Sequence, residues 1–461
     1  MQTTASRPLR SARWALLATS LGFVIICLDV TVVNVALARM RDSLSLDSTA
    51  LEWIVNGYTL AFASLLLSAG ALADRLGGRR VFVTGFAVFT CASVACGFSS
   101  SATTLVIARV IQGTGAALCV PSSLALLGAA FPDSHARARA VSIWAGTAAL
   151  ALGAGPLVGG ILVDLFGWRS IFLINVPVGA AGIALTLAYA TDTVRHAARR
   201  IDLPGQALAI VTLATLTYAV VESSRFGWLS LTVMGGLALS ILTGALFVAV
   251  EARQAQPLLP LSMFRNGVVS VSSMTGLSLN FGYYGLMFAM SLFFQNVRHD
   301  TPLETGLAFL PMTAVVTLAN LVSGSLTVRF GYRKPMIVGQ ALAAAGYVSL
   351  AWVHPDSSVL AISIPLLMVG VGVALAVPSI NTAVLAAVSP TSVGIASGLL
   401  NTARQIGGVL GVGVFGSLLE TTTGLVAGLH IATLLAALVM IGSLTAALAP
   451  PTYLTGANHL S

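Results

Sequence analysis

The sequence predicts an all-α polytopic membrane protein whose fourteen transmembrane helices are arranged as six, two and six. Three observations carry that prediction, the first being composition. Of 461 residues 57% are hydrophobic and only 8% charged, with 23 Lys+Arg against 15 Asp+Glu, whereas a soluble surface is covered by a mix holding about 25% charge. Mean hydropathy is +0.93, so lipid has to act as solvent for most of the chain. The apolar runs do not alternate with period two, which excludes an outer-membrane barrel. The other two observations are the sidedness of the basic residues and an internal repeat.

Apolar windows of about 20 residues bounded by charges, Pro or Gly fall at 14–38, 50–73, 80–98, 102–127, 138–163 and 169–190. They continue at 204–221, 229–250, 266–296, 306–328, 335–353, 359–387, 394–419 and 424–448, with 266–296 long enough to tilt or kink. The segment 1–13 carries Arg7, Arg10 and Arg13 ahead of a long apolar stretch without a small-residue cleavage site. It reads as a flank of the first span, not as a signal peptide. Loops on the N-terminal side hold sixteen basic residues and the opposite loops five, Arg39, Arg41, Arg169, Arg225 and Arg298. The positive-inside rule therefore predicts a multi-pass cell-membrane protein with both termini cytoplasmic. The formal charge of +8 records topology, so nucleic acid is not an expected partner. Lys334 is the only lysine, a bias typical of a GC-rich bacterial genome. Cys27, Cys91, Cys96 and Cys119 lie inside apolar runs and read as small packed hydrophobes, with no metal spacing.

The repeat sets the architecture. Gly70 to Arg80, with Asp74, Arg75, Gly77 and Arg79 between, recurs as Gly324 to Lys334 at an offset of 254, and Gly113, Gly115 and Pro121 recur as Gly370, Gly372 and Pro378 at an offset of 257. Six helices with short loops need roughly 200 residues, so two further helices sit between the repeats. The expected organisation is a cytoplasmic N-terminus at 1–13, a six-helix bundle at 14–190, a linker with two extra helices at 191–265, a second bundle at 266–448 and a cytoplasmic tail at 449–461. Parallel repeats of this kind are a signature of secondary transporters that bind substrate between their halves.

Several stretches carry a family resemblance. They are Leu28 to Ala36 with Asp29 and Asn34, the Asp74 to Arg80 loop, Arg109 to Gly115 with Gln112, Gly155-Pro156 with Gly159-Gly160, and Gly167 to Pro177 with Asn175. In these the chain resembles the major facilitator superfamily, and within it the fourteen-helix drug:proton antiporter subfamily of EmrB and QacA type, including methylenomycin-resistance-like exporters. The resemblance implies a conformational latch at Gly70, Asp74, Arg75, Gly77, Arg79 and Arg80, with Asp74 and Arg75 binding across the bundle interface when the protein faces outward. Topogenic charge alone is the plainer reading of that loop. Val328 replaces Asp74 in the second copy, so the latch is asymmetric. The resemblance also implies an antiporter motif at Gly155, Pro156, Gly159 and Gly160, where a packing kink is the plainer reading. The longer family pattern has glycine where this chain has Ala151.

A charge at the centre of a membrane helix costs at least about 2.5–3.5 kcal/mol and persists only with a partner or a wet cavity. Asp29, Arg109 and Arg404 are such charges. Counted at about 1.5 Å per residue, Asp29 lies roughly 14 Å and Arg109 roughly 10 Å from the outer ends of their spans. If the first and fourth spans are neighbours, as the family implies, the two form a carboxylate–guanidinium pair. They are the expected proton-coupling residues, with alternating access driving proton uptake outside and release inside; a purely structural ion pair is the alternative. Candidate cavity residues are Asn34, Tyr58, Gln112, Trp144, Asn280, Tyr284, Phe288, Asn401 and Arg404, with Trp53 and Asn175 as weaker ones. The aromatic and polar stripe of the ninth span reads equally as an interfacial belt, and Arg404 equally as a structural cap. Glu222, in a stretch resembling an acidic turn of the family, is expected on a surface loop.

No catalytic set and no metal site are expected, since the six histidines are scattered, and no GxxxxGK[ST] loop points to ATP. The expected function is a proton-driven exporter of lipophilic or amphipathic drugs or antibiotics, acting as a monomer in the bilayer with the proton as coupling ion and no other cofactor. The alternative is an importer or facilitator of a small metabolite.

Overall fold

The computed structural model of the chain describes residues 9–193, 202–254, 257, 259–388, 393–421 and 424–449. Most of the predicted terminal segments 1–13 and 449–461, and the arginines at 195, 199 and 200, lie outside the described residues. The first set of helices comprises α1 (Leu9–Leu44), α2 (Ser48–Leu76), α3 (Gly78–Gly97), α4 (Ala102–Ala130), α5 (Ser134–Phe166), the short α6 (Ser170–Leu173) and α7 (Asn175–Tyr189). Two intervening helices, α8 (Leu203–Phe226) and α9 (Leu231–Glu251), lead to α10 (Gly267–Leu292), α11 (Pro302–Phe330), α12 (Arg333–Leu350), α13 (Val359–Ala387), α14 (Val393–Thr421) and α15 (Leu425–Leu448).

Among the described residues twelve of these helices are long and apolar enough to cross a membrane, or thirteen when α2, bent by 55° near Leu66, is taken as one span. The expected count was fourteen. The helix left out is α12, whose 18 residues open with Arg333, Lys334 and Pro335 and so leave a shorter apolar run. The first helix is longer than 14–38: nothing breaks it until Ser45, at φ 52°, so Arg39 and Arg41 lie in its last turns. The long ninth window resolves into α10 followed by a π-turn at Phe293–Val297.

Chain ends of the helices are capped by their own sequence. Asp47 accepts from the Ala50 amide at 2.8 Å to start α2, and Thr301 with Glu304 forms a capping box on α11. Within each set, packing repeats as the sequence repeats. A Cβ at Gly113 of α4 would stand 2.2 Å from the Tyr58 carbonyl of α2, and one at Gly370 of α13 would stand 2.6 Å from the Met312 carbonyl of α11. The repeated glycines thus perform one task twice, letting two backbones touch.

Hydrogen bonds that join the two sets gather in the half of the molecule away from the N-terminus, here called the far end. Among the described residues, Ser291 donates to the Asn34 carbonyl at 2.6 Å and Gln295 to the Val35 carbonyl at 3.0 Å. Ser48 of α2 donates to Glu420 of α14, and midway along the seam Thr317 donates to the Ala149 carbonyl at 3.3 Å. The intervening pair is tied to both sets: Gln206 of α8 donates to the Ser64 carbonyl of α2 at 2.7 Å, and Ser223 to Ser417 of α14 at 2.9 Å. Outside it, α9 keeps only 11% of its apolar window buried.

Replacing Gly370 with Ala forces the α11–α13 contact apart and is expected to cost about 1–3 kcal/mol, as overpacking does. Gly442→Ala, where nothing lies within 4 Å of the added Cβ, is the control. Thermal melting of the two detergent-solubilised variants checks this; equal melting points would refute the contact.

Candidate functional site

The first charged candidates meet deep inside the first set. Arg109 of α4 donates through Nη1 to Asp29 Oδ2 of α1 at 2.5 Å, and each side chain is 1% exposed. Three further helices complete the coordination. Arg109 Nε donates to the Ile54 carbonyl of α2 at 3.0 Å and Nη1 to Gln112 Oε1 at 2.7 Å. Gln112 Nε2 donates to Asp29 Oδ1 at 2.9 Å and to Ser93 Oγ of α3 at 2.8 Å, while Asn175 at the head of α7 donates to the same two oxygens at 3.3 and 3.2 Å. The guanidinium lies 4.3 Å from the Tyr58 ring centre and 5.7 Å from that of Phe172 in α6. A charge pair in a low-dielectric interior holds together only when its remaining donors and acceptors are met in this way.

Arg109 and Tyr58 also form part of the wall of a narrow cleft between the two sets. The cleft is shared with Val30 and Val33 of α1, Val55 and Thr59 of α2, Tyr284 of α10, and Gly408 and Val412 of α14. Other candidates take different places. Asn34 donates to the Val30 carbonyl and its own carbonyl takes the Ser291 hydroxyl. Trp144 is buried and stacks on Phe23 at 3.9 Å between ring centres. Asn401 donates to the Ser397 carbonyl one turn back, and Arg404 is half-buried on the same helix.

Two candidates from the ninth span are buried away from the cleft. Phe288 is fully buried in an apolar cluster to which both sets contribute, and Asn280 is buried at 5% exposure. Neither is among the residues that wall the cleft, although both share the helix face of Tyr284 at i, i+4 spacing. Glu222 is corrected: α8 continues to Phe226 before Gly227 ends it, and Glu222 accepts from Trp53 Nε1 at 3.1 Å.

The loop from Gly77 to Arg80 turns at Gly77, whose φ of 98° suits glycine. Its amides bind the segment after α7, Gly78 to Thr193 Oγ1 at 2.7 Å and Arg79 to Asp192 Oδ1 at 3.2 Å, and the Arg79 side chain reaches the Leu187 carbonyl. Gly70 lies further back along α2, Asp74 is half-buried, and Arg75 and Arg80 are exposed. The Gly155 motif lies on the seam itself. A Cβ at Gly155 would strike Thr31 of α1, one at Gly159 would crowd Val32, and one at Gly160 would stand 2.6 Å from the Pro302 carbonyl of α11. Pro156 faces Gly306 across the same seam, so α5 is pressed between α1 and the second set.

Sequence reasoning missed Glu52. It is wholly buried, neither carboxyl oxygen has a hydrogen-bond partner, and it packs on Gly416 of α14 at the far end. Its signal was a lone acid one turn into an apolar span. Ser93 and Phe23 were missed for want of any signal, since a serine or phenylalanine in an apolar helix is ordinary.

Two stability outcomes follow from this arrangement. Arg109→Ala strands Asp29 and is expected to cost about 3–5 kcal/mol, with the Asp29→Asn/Arg109→Gln double variant recovering most of the loss; thermal melts that rank the double variant below Arg109→Ala would refute it. Glu52→Gln, which removes an unpartnered acid, is expected to melt no lower than the parent.

The chain matches the model of the Major Facilitator Superfamily over residues 19–412. It is 38% identical over 406 residues to the methylenomycin A resistance protein of Streptomyces coelicolor, covering 88% of this chain and 85% of that protein. It is 39% identical over 410 residues to the multidrug resistance protein Stp of Mycobacterium tuberculosis, covering 89% and 76%. The tetracenomycin C resistance and export protein of Streptomyces glaucescens is 34% identical over 423 residues, 91% and 78% covered. Among solved structures, a bacterial homolog to the human lysosomal transporter Spinster, inward-facing and unoccupied, superposes with a TM-score of 0.67 at 18% identity over 96% of this chain and 97% of that one. The chain belongs to the Major Facilitator Superfamily and is a membrane transporter, not an enzyme.

Proposed function

We propose that the protein is a proton-driven exporter of amphipathic drugs or antibiotics in the bacterial cell membrane, a drug:proton antiporter working by alternating access. The observation that carries this reading is the buried Asp29–Arg109 pair with its amide and hydroxyl partners. A carboxylate held by a guanidinium inside a membrane protein is a group that can trade its partner for a proton. The relatives named for resistance and export support the direction and the substrate class.

In the antiporter reading both termini are cytoplasmic, so the far end is the outer face and the seam is closed there. The cavity then opens inward, and Asp29, already paired with Arg109, has released its proton and left the transporter ready to take up substrate. Opening outward separates the far-end contacts, lets Asp29 accept a proton, and discharges the compound. The bodies that move are the bundles 14–190 and 266–448, with Gly155, Pro156, Gly159 and Gly160 as the sliding contact on α5. The loop containing Gly70, Asp74, Arg75, Gly77, Arg79 and Arg80 latches the inner face when the outer face is open. In this reading α12 also spans, its Arg333 and Lys334 resting among inner headgroups, which completes the fourteen-helix, EmrB and QacA type arrangement. The transporter acts as a monomer, with the proton as its only coupling ion.

Everted vesicles test the reading. Acidifying their interior is expected to drive accumulation of an amphipathic drug, and Asp29→Asn to abolish it with membrane expression intact. A gradient that expels the compound would favour a metabolite importer instead, and full activity of Asp29→Asn would remove Asp29 from the coupling role.

A further inference from the structure

Three charges lie within the central part of the membrane helices, and they are met in unequal ways. Asp29 and Arg109 neutralise each other. Arg404 does not share in that balance: its Nε is buried without an acceptor, and among the described residues no ion pair or hydrogen bond reaches its guanidinium. The titratable groups facing it are Cys27 of α1 and Tyr284 of α10, and neither is a carboxylate. A guanidinium has five donors, and leaving a buried one unmet is costly. Among the three central charges the balance is therefore positive by one.

Arg404 is also placed where a ligand would pass. Arg404, Gly408 and Val412 follow each other at helical spacing on one face of α14, and the last two line the cleft between the halves. Arg404 is the next position on that stripe away from the closed far end, half-buried rather than sealed. Cys27 of α1 lies within electrostatic reach of it, and one turn nearer the N-terminus on α1 Phe23 stacks on Trp144. A cation with free donors thus stands next to the cleft, and the neighbouring stretch of α1 is apolar.

We propose that the transported compound is an organic anion, an amphipathic molecule whose carboxylate docks on Arg404 while its apolar body lies against Phe23 and Trp144. The transport step rests on the exporter reading above; the binding step does not. A carboxylate matches the planar fork of the guanidinium in two parallel hydrogen bonds, and it offsets the unmatched charge of Arg404. A quaternary ammonium compound would meet the same cation as repulsion, so the site selects by sign as well as by shape.

The test is binding to the full-length protein in lipid nanodiscs at neutral pH, with no gradient. The probes are 1-naphthaleneacetate, its uncharged amide, and trimethyl(naphthylmethyl)ammonium. The acid is expected to bind about tenfold or more tighter than the amide, as a charge-assisted pair allows, and the ammonium weakest. Arg404→Gln is expected to bring acid and amide within about twofold of each other, and Arg404→Lys to keep a preference for the acid, since it retains the charge without the fork. The Lys variant decides the matter if the Gln variant does not fold. Equal or stronger binding of the amide or the ammonium by the parent protein, no binding of the acid at millimolar concentration, or a tenfold gap surviving in Arg404→Gln each overturns the proposal. Acid-selective binding in a protein whose everted vesicles accumulate nothing would refute export and leave the anion site standing.

Discussion

Hydrocarbon offers no hydrogen bonds, so each charge that this chain carries into the membrane has to be answered by another part of the same chain. The Asp29–Arg109 pair shows how far that requirement reaches. Two oxygens and one guanidinium recruit Gln112 from α4, Ser93 from α3, Asn175 from α7 and a backbone carbonyl from α2. Five helices thereby share one register, because sliding any of them by a turn would strand a polar group in an apolar interior. The aromatic faces of Tyr58 and Phe172 close the remaining sides of the guanidinium. Packing of the first set is organised around this centre, whereas the second set is held mainly by apolar contact and small residues.

Parts of the design that recur in sequence were readable before any coordinates. The offset between Gly113 and Gly370 forecast equivalent helix contacts, and each glycine does lie against a neighbouring backbone carbonyl. Depth counting along α1 and α4 placed Asp29 and Arg109 level with one another, and they touch. Both cases rest on one-dimensional regularities, a period or a rise per residue. Features that depend on how closely two helices lie together were less legible. Tyr284 and Phe288 share a face of α10 one turn apart, yet Tyr284 walls the cleft and Phe288 is sealed in an apolar cluster drawn from both sets. At α12 the charged opening is at home near headgroups but shortens the apolar run that a hydropathy count needs. Glu52 escaped notice because nothing in its own helix predicts that α14 and α8 will cover it.

The two intervening helices acquire a structural role from their contacts. By bonding to Ser64 of α2 and Ser417 of α14, α8 spans the seam on one side. It also brings Glu222 to Trp53, beside the buried Glu52. Glu420 and Asp47 lie within electrostatic reach of Glu52 as well, so the closed far end holds four acidic groups. Arg41 answers them only indirectly, through Ser48, which in turn binds Glu420. Like charges gathered in a closed contact make that contact conditional on being closed by something stronger, here the apolar packing and the α1–α10 hydrogen bonds.

The scarcity of charge that marks the composition sorts itself by environment. Where a charge is paired and fully coordinated, as at Asp29 and Arg109, it fixes helices in place and can respond only when that coordination is broken. Where an acid is buried without partners, as at Glu52, it weakens the contact that covers it. Where a cation is half-open and unpartnered, as at Arg404, it is available to whatever enters between the halves. These three conditions lie in order along the inter-half passage, from the closed far end inward: the destabilised seam, the coordinated pair, then the free cation. A compound entering from the open side would meet the free charge first and the coupled pair next. In the antiporter reading, recognition at Arg404 and coupling at Asp29 are linked through Tyr284 beside Arg404 and Tyr58 beside Arg109, which both wall the cleft.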